Sequence, residues 1–413
     1  MPAAPPSAGS AWEGHPRGSN VYRRILVALA CAGVATFAQL YSVQGVLPLI
    51  SADLGVSAAD AALTVSAATI GLAVAVIPWS AAADRIGRLR AMYCAVIGAT
   101  VFGLVVPLMP NLSAILVVRF FEGVSLGGIP ALALAYLTEE VHKLHAGIAA
   151  GTYVAGTSIG GLLGRVVAGP VGDFAGWRIG VLAVSLLSGL AAVGFILLAP
   201  RQRGFAKRSK HDGGPGLAGR LLANLRNPAL LVLYAQGLLL MGGFVAVYNY
   251  LGFRLGADPF FLPAALTSLL FLAYLAGTFS SRLAGGLSAR LGRRRVLAGG
   301  TSVMIVGVAL TMAPWLPVIL LGLLVLTAGF FAAHARASGW TPVLAKTGPA
   351  QAAALYNLFY YIGSSLIGWC GGIVFQSLGW DALALMVIVL AGLAMVLAWL
   401  ALRRHTDAGI GAG

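Results

Sequence analysis

Two ionisable residues, Arg119 and Glu122, lie inside a long, mostly apolar segment that begins at Leu112. At 1.5 Å per residue, they lie about 10 Å and about 15 Å along a helix from Leu112. Residues three apart share a helix face, so the two side chains can form an ion pair. Burial disfavours the charged carboxyl and Arg119 favours it, so a substrate or a small movement could shift its proton. We predict a proton-coupling site; a purely structural salt bridge is the alternative.

A basic segment occurs twice, about 205 residues apart. Its repeated positions are Arg85, Gly87 and Arg88 in the first copy and Arg290, Gly292 and Arg293 in the second, whereas Asp84 of the first copy is matched by Ala289. Each copy interrupts an apolar stretch, and a charged turn cannot lie in hydrocarbon, so each is a loop in water between two membrane helices. We expect Asp84 to face the positive amino end of a neighbouring helix and Arg85 and Arg88 to pair across the loop. Such contacts form a conformational latch; anchoring the topology is the alternative.

Amides and phenols that interrupt apolar helices can hydrogen-bond a solute while neighbouring residues bury its apolar part. The candidates for a substrate cavity are Gln39, Tyr41, Gln44, Tyr234, Gln236, Tyr356, Asn357 and Tyr360. Some of them will instead join helices to one another. We expect Arg165 to extend towards the membrane surface from the end of its helix, and His334 and Arg336 to face a loop.

The composition assigns the chain to the membrane. Of its 413 residues, 59% are hydrophobic and 9% are charged, against roughly 25% charged residues in soluble domains. No nucleotide-binding loop, HExxH motif or water-facing Ser/His/acid group is present, so an enzyme is not expected. Cys31, Cys94 and Cys370 lack metal-ligand spacing, and we expect neither a metal nor a cofactor.

We predict an all-α integral membrane protein with twelve transmembrane helices, because a span needs about 20 apolar residues. The predicted spans are 25–49, 62–83, 91–109, 112–138, 147–170, 178–199, 229–250, 264–284, 296–313, 317–338, 350–375 and 382–402. The predicted domains are a disordered tail over 1–22, a six-helix bundle over 23–200, a linker over 201–227, a second bundle over 228–402 and a tail over 403–413.

The repeat and the charges give the topology. Besides the basic loops, Gly176 and Trp177 match Gly379 and Trp380, which indicates a duplicated six-helix unit. Nearly all Lys and Arg residues fall on one side of the predicted spans, so the positive-inside rule makes both termini cytoplasmic. The net charge of +15 is therefore a topology signal, and nucleic-acid binding is not expected.

Several motifs resemble those of the major facilitator superfamily. The loop from Ser80 to Arg90 resembles its signature loop, with Ser80 where Gly is usual. The run from Arg119 through Glu122 and Gly123 to Gly127 resembles a signature of the drug/proton antiporter-like branch. The glycine signature of that branch matches Gly151, Gly156, Gly160 and Gly161, with Thr157 where Pro is usual. Residues 39–44, 355–357 and 363–365 are similar to a bacterial sugar-efflux-permease-like subgroup.

This resemblance implies two pseudo-symmetric six-helix bundles that rock around a central substrate site. The implied function is proton-coupled efflux of a small drug-like or sugar-like solute by a monomer in the bacterial cytoplasmic membrane. The implied partners are the small-molecule substrate, protons and the lipid bilayer. An uptake carrier or a facilitator would share these features. A transport-inactive membrane sensor is a further alternative.

Overall fold

The computed structural model describes residues 12–204 and 216–403, and these ranges are almost entirely helical. In chain order the helices are α1 Asn20–Leu40, α2 Leu47–Leu54, α3 Ala58–Ile86, α4 Arg88–Val105, α5 Leu112–Leu126, α6 Pro130–Glu140, α7 Ala146–Ala175, α8 Trp177–Leu198, α9 Leu217–Leu225, α10 Pro228–Gly256, α11 Ala264–Ser268, α12 Tyr274–Leu291, α13 Arg293–Leu310, α14 Leu316–Leu344 and α15 Pro349–Ala401. Short 3₁₀ turns lie between some of them, as at Gln44–Val46 and Leu269–Ala273.

Twelve membrane crossings follow from these helices. Within the described ranges, ten segments are long and apolar enough to span a bilayer. Three of these segments each contain two helices, namely α1 with α2, α5 with α6, and α11 with α12. The 53-residue α15 contains a non-helical residue, Gly379, and is therefore two crossings. The 18-residue α13 begins with three arginines and is therefore not one of these ten segments. Its remaining residues are mostly apolar, and it is the twelfth crossing in this count. The prediction of an all-α membrane protein with twelve helices is confirmed.

Local sequence sets where the helices begin. The side chains of Ser57 and Asn111 accept hydrogen bonds from the backbone N–H groups of Asp60 and Ala114, which caps α3 and α5. A proline in the first turn opens α2, α6 and α10, where its missing N–H costs nothing.

Four turns between consecutive helices have the same construction. Gly87, Gly176, Gly292 and Gly379 have φ of 95°, 89°, 85° and 79°, and each is the one non-helical residue between two helices. Side chains other than glycine rarely adopt such φ values. Gly87 and Gly292 are the repeated basic loops, and Gly176 and Gly379 are the second matched pair. The sequence match between the halves therefore extends to backbone geometry.

The two halves of the chain, α1–α8 and α10–α15, meet at one end of the molecule. We call the end with the two basic loops the basic end, and the end with Asp53 and Asp173 the opposite end. Gln44 Nε2 donates to Asn249 Oδ1 at 2.6 Å near the opposite end. Thr69 and Ser365 share a hydroxyl hydrogen bond of 2.7 Å nearer mid-membrane. Between described residues of the two halves, all hydrogen bonds lie in this region, so the interface is closed at the opposite end.

Two predicted segments differ from expectation where the structure describes them. Residues 12–19 contact α6 instead of extending as a disordered tail: the Trp12 indole donates to Glu139 O at 2.9 Å, and His15 N donates to Glu140 O at 2.8 Å. The predicted linker over 201–227 contains α9, and its start is bound by Glu140 Oε1, which accepts from Arg203 N and Gly204 N. Residues 1–11, 205–215 and 404–413, which fall in the two predicted tails and the linker, lie outside the described ranges.

Candidate functional site

Arg119 and Glu122 form a fully buried ion pair within the first half. Arg119 Nη1 lies 2.7 Å from Glu122 Oε2, and neither side chain is exposed to solvent. The same guanidinium donates to Thr64 O on α3 at 3.0 Å and to Gln39 O and Leu40 O at 3.1 and 2.6 Å. The last two carbonyls belong to the final residues of α1, where helix carbonyls lack intrahelical donors. Arg119 thus joins α1, α3 and α5 and caps the break between α1 and α2.

Two acceptor oxygens next to this pair have no donor. Glu122 Oε1 and Gln39 Oε1 are buried and have no hydrogen-bond partner among the described residues, and the Gln39 amide lies beside the Glu122 carboxyl. The Gln39 Nε2 donates to Ser185 Oγ at 3.1 Å, and the one hydroxyl proton of Ser185 lies within reach of two backbone carbonyls. A proton on Glu122 Oε1 would turn this unpartnered acceptor into a donor.

The second half has leucines at the matching positions. Leu323 and Leu326 on α14 are buried, with exposures of 1% and 0%. The duplicated fold therefore packs without charge at these positions, and the ion pair is a feature of the first half alone.

Arg165 forms a second buried cationic site, and its predicted position at the membrane surface is wrong. It lies ten residues before the end of α7, and its side chain is 3% exposed. Its Nε donates to Gln44 Oε1 at 2.7 Å and its Nη1 to Gly161 O at 2.6 Å. The guanidinium carbon lies 3.8 Å from the Tyr41 ring centroid and 4.8 Å from that of Tyr274. The sequence did not reveal which face of α7 carries this residue.

Aromatic rings of the second half continue from Arg165 towards the basic end. His334 is part-buried and not loop-facing as predicted: its Nδ1 lies 2.9 Å from the Tyr356 hydroxyl, and its ring lies 4.9 Å from the Tyr360 ring. Together these rings form what we call the aromatic wall, which comprises Phe244, Tyr248, Phe271, Tyr274, Phe330, Phe331, His334, Tyr356 and Tyr360.

The eight predicted cavity residues are divided among several places. Tyr41 and Gln44 surround Arg165, whereas Gln39 belongs to the Arg119 site. Tyr356 and Tyr360 belong to the aromatic wall. The others are Tyr234, stacked on Phe359 with ring centroids 5.4 Å apart, Gln236, whose amide donates to Ala394 O at 2.7 Å, and Asn357, which is exposed. The Gln236 amide thus faces the last helical segment of its own half and not the other half.

The first basic loop contains a charge network and the second contains exposed arginines. Arg88 Nη1 lies 2.6 Å from Asp84 Oδ1, across the Gly87 turn, and Arg88 Nε lies 3.2 Å from Glu139 Oε1 on α6. In this structure Asp84 pairs with Arg88, and among the described residues no hydrogen bond joins it to the amino end of a neighbouring helix. Arg85 is exposed and does not take part in these ion pairs. Arg290 and Arg293 of the second copy are exposed as well.

The glycine signature of α7 packs against α1 of the same half. A Cβ on Gly156 or Gly160 would lie 2.7 Å from backbone atoms of α1, and one on Gly164 would lie 2.3 Å from Ala38 O. By contrast, a Cβ on Gly151 would meet nothing within 4 Å, and one on Gly161 would lie 3.3 Å from the Arg165 guanidinium. Small residues here allow close helix packing, and those at 156, 160 and 164 lie inside one bundle, not between the two.

These features define a class of protein. Twelve membrane helices in two halves, closed against each other at one end and holding buried charges next to a helix break, are the architecture of a membrane transporter. Within the described ranges, no group of three or more His, Cys, Asp or Glu side chains could hold a metal ion.

Comparison with known proteins identifies the family. Residues 29–349 match the model of the Major Facilitator Superfamily, and the chain belongs to this family of secondary transporters. It is similar to the inner membrane transport protein YnfM of Escherichia coli (strain K12), with 37% identity over 377 residues that cover 90% of each chain. It is also similar to the uncharacterized MFS-type transporter YybF of Bacillus subtilis (strain 168), with 34% identity over 364 residues that cover 88% of this chain and 90% of the relative.

Solved structures share the fold. A bacterial homologue of the human lysosomal transporter Spinster, in an inward-facing and occupied conformation, superimposes with a TM-score of 0.75 at 16% identity, over 94% of this chain and 98% of the other. The xylose transporter XylE of E. coli, in a partially occluded inward-open conformation, gives a TM-score of 0.69 at 16% identity, over 92% and 98%.

Proposed function

We propose that this transporter exports a small organic solute from the bacterial cytoplasm in exchange for protons, by alternating access. The basic end faces the cytoplasm in this proposal, because Lys and Arg residues concentrate there. Both termini are then cytoplasmic, and the membrane is the cytoplasmic one, as the name of the E. coli relative suggests. The motif resemblance to the drug/proton antiporter-like and sugar-efflux-permease-like proteins supports export as the direction.

The observation that carries the proposal is the geometry of Glu122. One of its oxygens is paired with Arg119 at 2.7 Å, and the other is buried without a donor. A fully buried carboxyl with a spare acceptor can exist in charged and neutral forms, and the strength of its ion pair decides between them. Arg119 also binds the carbonyls at the end of α1, so movement of α1 would alter this ion pair. Proton binding and helix movement are thereby coupled.

Closure of the opposite end indicates which state of the proposed transport cycle the structure represents. With the basic end cytoplasmic, the structure corresponds to an inward-facing state, the conformation of both solved structures compared above. In the outward-facing state the basic loops would approach each other, and the network of Asp84, Arg88 and Glu139 would act as the latch at that end. Arg85, Gly87, Arg290, Gly292 and Arg293 complete the proposed latch.

Transport in proteoliposomes tests the proposal. Purified protein is reconstituted, a pH gradient is imposed, and movement of solutes from a chemically diverse panel is measured. We expect a solute that the wild type moves against its gradient to be moved by Glu122→Gln only down its own gradient. Glu13→Gln removes one carboxylate from an exposed position and serves as the matched control.

Two results would refute proton coupling at Glu122. One is undiminished gradient-driven transport by Glu122→Gln, and the other is an equal loss in Glu13→Gln. Wild-type transport that ignores the pH gradient would indicate a facilitator, and transport directed inwards would indicate an uptake carrier.

A further inference from the structure

Arg165 is buried at the interface of the two halves without a counter-charge. Four ion pairs join described residues, and Arg165 is in none of them. Arg119, the other buried arginine of the first half, lies 2.7 Å from a carboxylate. Burying a charge costs several kcal/mol unless an opposite charge compensates it. The first half therefore neutralises one buried arginine and leaves the other cationic.

The hydrogen bonds of Arg165 do not use its full capacity. A guanidinium has five N–H donors. Those of Arg165 reach Gln44 Oε1 at 2.7 Å, Gly161 O at 2.6 Å and, more weakly, the Tyr274 hydroxyl at 3.4 Å. All three acceptors are neutral. The Nη2 side has only the 3.4 Å contact, and it faces the second half, which contributes Tyr274.

The surroundings of Arg165 combine aromatic rings with this free donor capacity. Its guanidinium carbon lies 3.8, 4.7 and 4.8 Å from the ring centroids of Tyr41, Phe271 and Tyr274. Rings at these distances stabilise the cation and hold its plane in place. A fixed guanidinium fork matches the two oxygens of a carboxylate. The aromatic wall beyond it offers apolar surface to the remainder of a bound molecule.

The contacts of Arg165 depend on the closed interface. Tyr274 and Phe271 belong to the second half, and Gln44, which accepts from Arg165, is itself held by Asn249 of that half. Opening of the opposite end would separate Arg165 from Tyr274 and Phe271. An exported molecule would therefore bind Arg165 before this opening, while Tyr274 and Phe271 are beside it, and would leave once they separate.

We propose that Arg165 recognises the substrate and that the substrate is an organic carboxylate with an apolar or aromatic body. The proposal rests on the proposed function in that it takes the chain to be a working carrier with its path between the halves. The carboxylate binds the Nη side of Arg165, and the body lies against Tyr41, Tyr274 and the aromatic wall. A neutral or cationic solute of the same shape leaves the buried charge uncompensated and binds more weakly.

Binding of matched probes tests this assignment. The purified full-length protein in nanodiscs is titrated with two sets of molecules of similar size. The first set is benzoate, benzamide and protonated benzylamine, and the second is indole-3-acetate, indole-3-acetamide and protonated tryptamine. Thermal unfolding midpoints and calorimetry report binding. We expect the two carboxylates to raise the midpoint and the amides and amines to have no effect. Arg165→Gln should weaken carboxylate binding by about tenfold or more, and Arg165→Lys by less, because the charge remains while the fork is lost.

Arg254→Gln is the matched control. Arg254 also stacks on an aromatic ring, that of Trp380 at 5.1 Å, and donates to backbone carbonyls, but it lies within the second half. We expect this variant to bind the carboxylates as the wild type does. If Arg165→Gln does not fold, the smaller loss in Arg165→Lys carries the test.

Three results would overturn the assignment. The first is equal binding of carboxylates and their amides, and the second is no carboxylate binding by the wild type. The third is unchanged carboxylate binding in Arg165→Gln or, if that variant does not fold, in Arg165→Lys. Failure of the proposed function has a different signature. Carboxylate binding that requires Arg165, together with no transport under any pH gradient, would refute the exporter and leave the anion site standing. Gradient-driven transport of a neutral or cationic solute would support the exporter and refute the anion site.

Discussion

Replacing Arg119 with leucine should destabilise the protein more than removing the whole ion pair. Arg119→Leu leaves the buried Glu122 carboxyl without its counter-charge, so that it must stay charged in an apolar site or take up a proton, and it removes a charged donor from the carbonyls of Gln39 and Leu40. Breaking a buried pair costs about 3–5 kcal/mol, and an unsatisfied buried acceptor adds about 1–3 kcal/mol. We therefore expect a loss of about 4–8 kcal/mol in the free energy of unfolding.

The double variant Arg119→Leu/Glu122→Leu reproduces the pair found in the second half, where Leu323 and Leu326 are buried. It removes both charges and leaves only carbonyl oxygens and some unfilled volume. We expect it to be more stable than Arg119→Leu by about 2 kcal/mol or more, within the range measured for contacting residues. Transport coupling should nevertheless be lost.

The assay is a double-mutant cycle on protein in detergent micelles, with Glu122→Leu as the second single variant. Unfolding is followed by circular dichroism during titration with a denaturing detergent, and thermal midpoints provide an independent ranking. Additive effects of the two substitutions, or a double variant less stable than Arg119→Leu, would refute the reasoning. The pair would then be energetically independent, and Arg119 would act through the α1 carbonyls alone.

Two further predictions concern packing and the interface. Gly164→Ala should lower the thermal midpoint, because its Cβ would lie 2.3 Å from the Ala38 carbonyl oxygen. Gly151→Ala, whose Cβ would meet nothing within 4 Å, should be neutral or slightly stabilising. Equal midpoints of the two variants would contradict the α1–α7 contact. Thr69→Cys with Ser365→Cys, in a chain whose native cysteines are serines, should cross-link on oxidation, because the two hydroxyls lie 2.7 Å apart. Transport should stop and return with reductant; continued transport by the cross-linked protein would show that this interface does not open.

The sequence predicts the helices well because bilayer thickness fixes the length of each apolar run. The predicted span over 62–83 lies within Ala58–Ile86, and the gap between the last two spans contains Gly379. Breaks inside a crossing, as between α1 and α2, are not visible in composition, because residues 41–46 are as apolar as their neighbours except for Ser42 and Gln44.

Side-chain positions are harder to predict because hydropathy does not fix the rotation of a helix. Gln44 and Gln236 have the same chemistry and similar apolar contexts, yet one bridges the halves and the other binds Ala394 O in its own half. Arg165 illustrates the same limit. The sequence showed only that a charged residue lies within an apolar run. The packing of α7 shows that the Arg165 side chain is enclosed and does not reach the membrane surface.

The four single-glycine turns limit how the molecule can deform. With one non-helical residue between two helices, each joined pair can change its angle only through the torsions of that glycine. In the proposed alternating access, rocking of the halves would then draw on other breaks in the helices as well. The breaks at 41–46 and 127–129 lie inside crossings, and we expect them to absorb part of this movement in the first half. Arg119 binds the carbonyls at the first of these breaks, so bending there would move its ion pair.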